Sequence, residues 1–135
     1  MENIRFAKLQ DISALIKINN HIDEKTLTKL INNRKVIVFE KENIVGFLTY
    51  SYFWHTIPFL DLIYFEESER NKGYGKKLLL FWESYVKEKG YNMVLTSTQS
   101  NENGQHFYRK LGYTDCGSLI LPKEVLEIFL YKKLD

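Results

Sequence analysis

Phe59-Leu-Asp-Leu-Ile-Tyr-Phe65-Glu-Glu-Ser-Glu-Arg70-Asn-Lys-Gly73-Tyr-Gly75-Lys-Lys-Leu-Leu-Leu80 reads as an apolar strand, a charged loop with two glycines, and the first turns of an amphipathic helix. Such a junction makes an anion cradle. The first N–H groups of a helix lack intrahelical acceptors, point outward together and sit at the positive end of the helix dipole. Gly73 and Gly75 allow a close backbone approach and positive φ in the turn. Arg70, Lys72, Lys76 and Lys77 add side-chain charge at the same point. The stretch is suited to a phosphorylated ligand.

Two familiar phosphate loops are excluded by spacing. No Gly stands five residues before Gly73 and no Ser or Thr follows Lys76, so this is not GxxxxGK[ST]. Leu78 occupies the third glycine position of GxGxxG.

Working outward, Phe59 to Phe65 is nearly continuous in apolar residues apart from Asp61, as in a strand covered on both faces. Period-two alternation places Asp61, Ile63 and Phe65 on one face. The helix that follows spans about 73–89. Leu78, Phe81 and Tyr85 form one apolar row and Leu79, Trp82 and Val86 the next, with Lys76, Lys77, Glu83, Ser84, Lys87 and Glu88 on the wet side and Glu83 paired with Lys87. Asn92 to Ser97 returns as a strand, completing a strand–helix–strand unit whose strands are expected to be parallel.

Upstream, Ile4 to Lys8 reads as a short strand. Asp11 and Asp23 are N-cap candidates for two short helices. A long-armed hairpin follows, 35–40 and 44–54, with Gly46 marking a bulge or a close backbone approach. Downstream come a short helix over 102–111 and two closing strands over 113–120 and 125–134.

Composition sets the outer limits. The chain has 135 residues, 44% hydrophobic and 15% aromatic, which predicts one packed domain over 1–135. A net charge of +2 does not suggest nucleic-acid binding. The single cysteine, Cys116, excludes an internal disulfide and any CxxC metal site. His21, His55 and His106 have no metal-ligand spacing. No apolar run approaches the roughly 20 residues of a membrane span, and the expectation is a cytoplasmic protein with no membrane or nucleic-acid partner.

A second motif carries chemistry. Asn101-Glu-Asn-Gly-Gln-His-Phe107-Tyr108-Arg-Lys-Leu-Gly112-Tyr113 places an Asn seven residues before a Tyr, followed by x-K-x-G-[FY]. With Arg70-Asn-Lys-Gly73-Tyr-Gly75, which matches R/Q-x-x-G-x-G/A, the chain resembles the GCN5-related N-acetyltransferases over nearly its whole length. Two motifs in the right element order are far more specific than either alone.

The resemblance implies a single-domain α/β acyl-CoA N-acyltransferase fold, with a mixed central sheet of about six or seven strands and about four helices. It implies acetyl-CoA as co-substrate. The pantetheine arm is expected along Ile63, Tyr64 and Phe65, and the pyrophosphate on Arg70, Asn71, Lys72, Gly73, Tyr74, Gly75 and Lys76. Asn101 is expected to bond the arm or nearby backbone, and an N–H near Phe65 to polarise the thioester carbonyl. Tyr108 stands at the family's general-acid position, and a phenol with a reference pKa of ~10 is protonated at neutral pH. Asp61 lies four residues before Phe65, where several family members that acetylate small amines carry a proposed catalytic Glu, and is the candidate base; a structural carboxylate is the competing reading. The acceptor is a primary amine of a small molecule or peptide, acetylated directly because Cys116 has no paired His for an acyl-cysteine route. Relatives often pair as homodimers, so a second copy is a candidate partner. The competing class is a non-catalytic acyl-CoA-binding module.

Overall fold

The computed structural model describes residues 1–135. Seven strands form one mixed sheet: β1 (Asn3–Phe6), β2 (Val36–Glu40), β3 (Ile44–Phe53), β4 (Ile57–Phe65), β5 (Met93–Gln99), β6 (Thr114–Leu119) and β7 (Glu127–Lys133). Their spatial order is β1-β2-β3-β4-β5-β7-β6. Four helices accompany them: α1 (Ile12–Ile18), α2 (Glu24–Asn32), α3 (Tyr74–Glu88) and α4 (Gly104–Lys110). Every neighbouring pair is antiparallel except β4–β5, the parallel pair that α3 bridges.

The sheet separates two cores. On one face Leu78, Leu79, Trp82 and Val86 of α3 pack with Phe39, Leu48, Leu60 and Val94, and Tyr108 of α4 joins them. On the other, Leu15 of α1 and Leu27 and Ile31 of α2 pack on Val36, Val38 and Phe47. The strictly alternating burial of β5 follows from this, Val94, Thr96 and Thr98 being buried and their neighbours not. α1 and α2 cover the β1–β4 side of their face. β6, at the far edge, is exposed along its whole length.

The helix caps divide. Asp23 accepts a hydrogen bond from Thr26 N–H at 2.7 Å, as its position before α2 predicts. Asp11 does not cap α1. Its carboxylate is buried in a 3-10 turn (Leu9–Asp11), accepts from Lys8 N–H at 2.7 Å and takes both Arg5 Nη groups at 2.9 and 3.2 Å. The strong fork pairing with Arg5 draws it away from the helix end.

α3 also corrects the expected wet face. Glu83 is buried, not paired with Lys87: it accepts from Tyr113 Oη at 2.8 Å and Lys132 Nζ at 2.7 Å. Lys87 bonds the Asp135 carbonyl instead. Phe81, expected in the apolar stripe, is 36% exposed, because the buried face centres on Leu79, Trp82 and Val86. Gly46 is a close-approach site. A Cβ there would lie 2.3–2.5 Å from the Phe65 ring.

Candidate active site

β4 and β5 are paired only at Phe59↔Leu95 and Leu60↔Thr96. Thr96 Oγ1 donates to the Leu60 carbonyl at 3.0 Å and closes this last joint. Beyond it the strands part, and residues from both, with α4, line a cleft of about 470 Å³. The parting coincides with a bulge. β3 pairs Thr49 with Leu62 but Tyr50 with Leu60, so Asp61 is the extra residue on β4. Leu60 and Leu62, two apart, therefore enter opposite cores. The expectation that Asp61, Ile63 and Phe65 share a face by simple alternation is overturned: the bulge at Asp61 breaks the period, and Ile63 and Phe65 join the α3 core while the Asp61 carboxyl lies near the Ser51 hydroxyl.

Asp61 lines the cleft and is exposed as a residue, while protein walls crowd its carboxyl. That burial pushes its carboxyl pKa up, and the Ser51 hydroxyl offsets only part of the rise. Tyr108 faces the same cleft from α4 and is 6% exposed. Burial raises its phenol to about 12, offset only in part by the nearby Thr96 hydroxyl. A carboxyl whose pKa is raised and a phenol that stays protonated at neutral pH thus line one cavity.

A second hollow, also about 470 Å³, adjoins the first through Ile63, Tyr64, Glu102 and Phe107, which line both. Its floor is the loop into α3. Asn71 (φ 63°) and Gly73 (φ 84°) turn the chain left-handed, and a Cβ on Gly73 would meet nothing within 4 Å. Lys77 is the first helical N–H with an acceptor, Gly73 O at 3.2 Å, so the Tyr74, Gly75 and Lys76 amides open α3 without intrahelical partners. Gly75 does not adopt positive φ. A Cβ there would stand 3.4 Å from the Phe107 ring of α4, an ordinary contact, so neither backbone nor packing demands a glycine at this position.

The basic residues of this loop have unequal roles. Lys72 and Lys41 both pair with Glu69, at 3.4 and 3.1 Å, and Lys77 pairs with Glu2 at 2.6 Å. Lys76 lines the hollow without an ion pair. Arg70 donates from Nε to the Phe65 carbonyl at 3.0 Å, and its guanidinium lies 5.0 Å over the Tyr64 ring. Arg70 therefore ties the loop to the end of β4 while its other N–H groups remain available. An open glycine, three unpartnered amides and two uncommitted cations suit a pyrophosphate.

Asn101 sits in the turn before α4, exposed and outside the residues lining either hollow. Asn103 and Glu102 line the cleft instead. Thr98 and Glu127 also line it and were not singled out by sequence reasoning. The polar side of β5 was the available signal for Thr98, whereas Glu127 enters because β7 pairs it with Gln99.

Comparison with known proteins agrees with this arrangement. The model of the acetyltransferase (GNAT) family matches residues 9–113. A GNAT-family acetyltransferase from Bacillus cereus is 26% identical, with a TM-score of 0.83 over 98% of this chain and 97% of that one. Ard1 from Thermoplasma volcanium is 18% identical, with a TM-score of 0.89 over 99% and 98%. The PaiA N-acetyltransferase of Thermoplasma acidophilum, solved with coenzyme A, is 18% identical with a TM-score of 0.81 over 98% and 99%. No curated protein sequence matches the chain. With most of its length matched by the family model and the sheet, helices and phosphate cradle in place, the chain belongs to the acetyltransferase (GNAT) family and is an N-acetyltransferase that uses acetyl-CoA.

Proposed function

We propose that Asp61 and Tyr108 carry the proton transfers of this acetylation and that the acceptor is a primary amine entering the cleft between β4 and β5. One observation carries the reading: both groups line the same cavity, and that cavity opens into the phosphate cradle. When bound, acetyl-CoA supplies the activated acetyl group.

The Tyr74, Gly75 and Lys76 amides, with the Lys76 and Arg70 side chains, hold the pyrophosphate. Asn71 and Gly73 shape that loop, and Glu69, which also lines the hollow, has its charge offset by Lys41 and Lys72. The backbone of Ile63, Tyr64 and Phe65 positions the pantetheine arm. Asp61 accepts the proton that the amine must lose, directly or through one water, and its raised pKa strengthens it as a base. The Tyr108 hydroxyl, protonated up to about pH 12, delivers a proton to the departing sulfur. In balance, a C–N bond forms, the C–S bond breaks, one proton leaves nitrogen and one reaches sulfur. Cys116 lines neither hollow, and burial raises its thiol pKa, both of which favour direct transfer over an acyl-cysteine. No helix is long and apolar enough to cross a membrane.

The test is steady-state turnover of wild type, Asp61→Asn and Tyr108→Phe with a panel of primary amines, alongside acetyl-CoA titration. Each substitution is expected to lower kcat by about 10²–10⁴-fold with acetyl-CoA affinity within twofold. A variant that keeps kcat within threefold would remove that residue from its role.

A further inference from the structure

We propose that the acceptor is a primary amine carried on an apolar body, and that the body lies in a trench running from the reaction cleft over the uncovered face of β5, β7 and β6 to Trp54. This rests on the reading of the cleft given above and names the substrate class it takes.

Continuity is the first argument. Ser97, Gln99 and Glu127 belong both to the reaction cleft and to a hollow of about 280 Å³ walled by Leu119, Leu121, Val125 and Phe129. Leu119 and Phe129 in turn belong to a third hollow of about 640 Å³ lined by Phe53, Trp54, Ile57 and Leu95 among others. Three hollows thus form one path. Its length follows from β4: Asp61 and Ile57 are four residues apart, about 13 Å of extended strand.

Charge is the second. The cleft end carries Asp61, Glu102 and Glu127, and the next hollow adds Glu124, while no Lys or Arg lines any of the three. The far hollow contains no charged residue. A path acidic at one end and apolar at the other complements an ammonium group on a hydrophobic tail. It complements a polyamine less well, because the farthest charge would pass beyond Glu124 and Glu127 and fall among the uncharged lining of the far hollow.

The turn at the far end is the third. Trp54 and His55 join β3 to β4 with φ of 53° and 63°, and Thr56 N–H closes the turn on Phe53 O at 3.1 Å. Asn-Gly is the preferred pair in such a turn, and a bulky residue with positive φ is an outlier. The strained position holds Trp54 74% exposed in the lining of the trench, which it shares with Leu119 at 43%. An apolar surface of this extent continuing from a reaction cleft is a binding feature.

The experiment measures kcat/KM at saturating acetyl-CoA for n-butyl- to n-octylamine, 2-phenylethylamine and spermidine. A second arm uses short peptides beginning Leu-Phe or Ser-Asp, which separates free amines from peptide N-termini. The expected result is a rise of roughly fourfold per added methylene, carried by KM, until the trench is filled. Spermidine should fall well below octylamine. Leu119→Asp should lower the octylamine value more than tenfold with CoA affinity unchanged, and octylamine should perturb Trp54 fluorescence, a signal absent in Trp54→Phe. Spermidine or butylamine matching octylamine would overturn the proposal, as would an unaffected Leu119→Asp or a dimer that buries Trp54 without any chain-length gain. Octylamine that titrates Trp54 with no amine turned over would instead sink the catalytic reading and leave the trench standing.

Discussion

Gly46→Ala isolates the contact on which the end of β4 depends. Gly46 has no positive φ, so its backbone would accept alanine without strain. The obstacle is Phe65. A Cβ at residue 46 would lie 2.3, 2.4 and 2.5 Å from three atoms of its ring, whereas carbon atoms rest about 3.5–4.0 Å apart. The ring must therefore retreat by more than about 1 Å. It has little room, because Phe65 is 7% exposed and its centroid lies 5.6 Å from that of Phe39 and 6.4 Å from that of Tyr74. Overpacking of this kind costs about 2–3 kcal/mol, or a fall in melting temperature of roughly 10 °C for a domain of this size. The damage should reach the ligand. Phe65 O holds Arg70 Nε, so displacing the ring shifts the phosphate loop and should weaken acetyl-CoA binding by at least about fivefold. Thermal melts with and without acetyl-CoA read both effects. The double variant Gly46→Ala/Phe65→Leu supplies the control, since a smaller side chain relieves the clash and the two changes should fall short of additivity by about 1 kcal/mol or more. A Gly46→Ala melt within 1 °C of wild type, or strict additivity in the double variant, would refute the steric account.

Asp61→Asn should raise the melting temperature at pH 7 even as it lowers turnover. Burial raises the folded-state pKa of Asp61, so the group favours folding below its unfolded pKa and loses that contribution as pH rises through the folded value. The gain should vanish near pH 3, and a less stable Asn variant at pH 7 would mean that the Ser51 contact dominates. Asp11 has the opposite sign. Burial opposes its ionisation, but the hydrogen bonds from Arg5 and Lys8 N–H outweigh it and hold the pKa low. Its contribution is present above the unfolded carboxylate pKa and is lost as pH falls through the folded one. Arg5→Met should therefore cost about 2 kcal/mol at pH 7, and the difference from wild type should narrow below pH 4 in acid-dependent urea melts. Arg70→Lys keeps the charge but loses the Nε bond to Phe65 O and the stacking on Tyr64, so calorimetry should show acetyl-CoA affinity falling about 3–10-fold. An unchanged affinity would reduce Arg70 to a point charge.

What could be read from the sequence was what local periodicity and turn chemistry encode. The strand into Gly73, the run of α3 and the parallel return through β5 all rest on contacts within a few residues or on a crossover whose geometry is nearly obligatory. Misreadings fell where a distant strand supplies the partner. Glu83 looked wet because Lys87 stands four residues on, the default pairing of an exposed helix. Its real partners, Tyr113 and Lys132, lie 30 and 49 residues away. Asp61 looked like one member of an alternating face because a bulge is a property of two strands together, visible only in the shift from Thr49↔Leu62 to Tyr50↔Leu60. Asn101 and Asn103 differ by two residues in one turn, and whether either reaches the cleft depends on how α4 sits against β5. The two carboxylates differ in sequence context, Glu83 having Lys87 four residues on and Asp61 standing alone in an apolar run, yet both are placed by strands distant in sequence. A buried or crowded carboxylate either finds strong donors or has its pKa raised. Glu83 found Tyr113 and Lys132 and serves packing. Asp61, with only the Ser51 hydroxyl to offset its burial, has a raised pKa and lines a cavity, and those two properties are what support the proton-transfer role proposed for it.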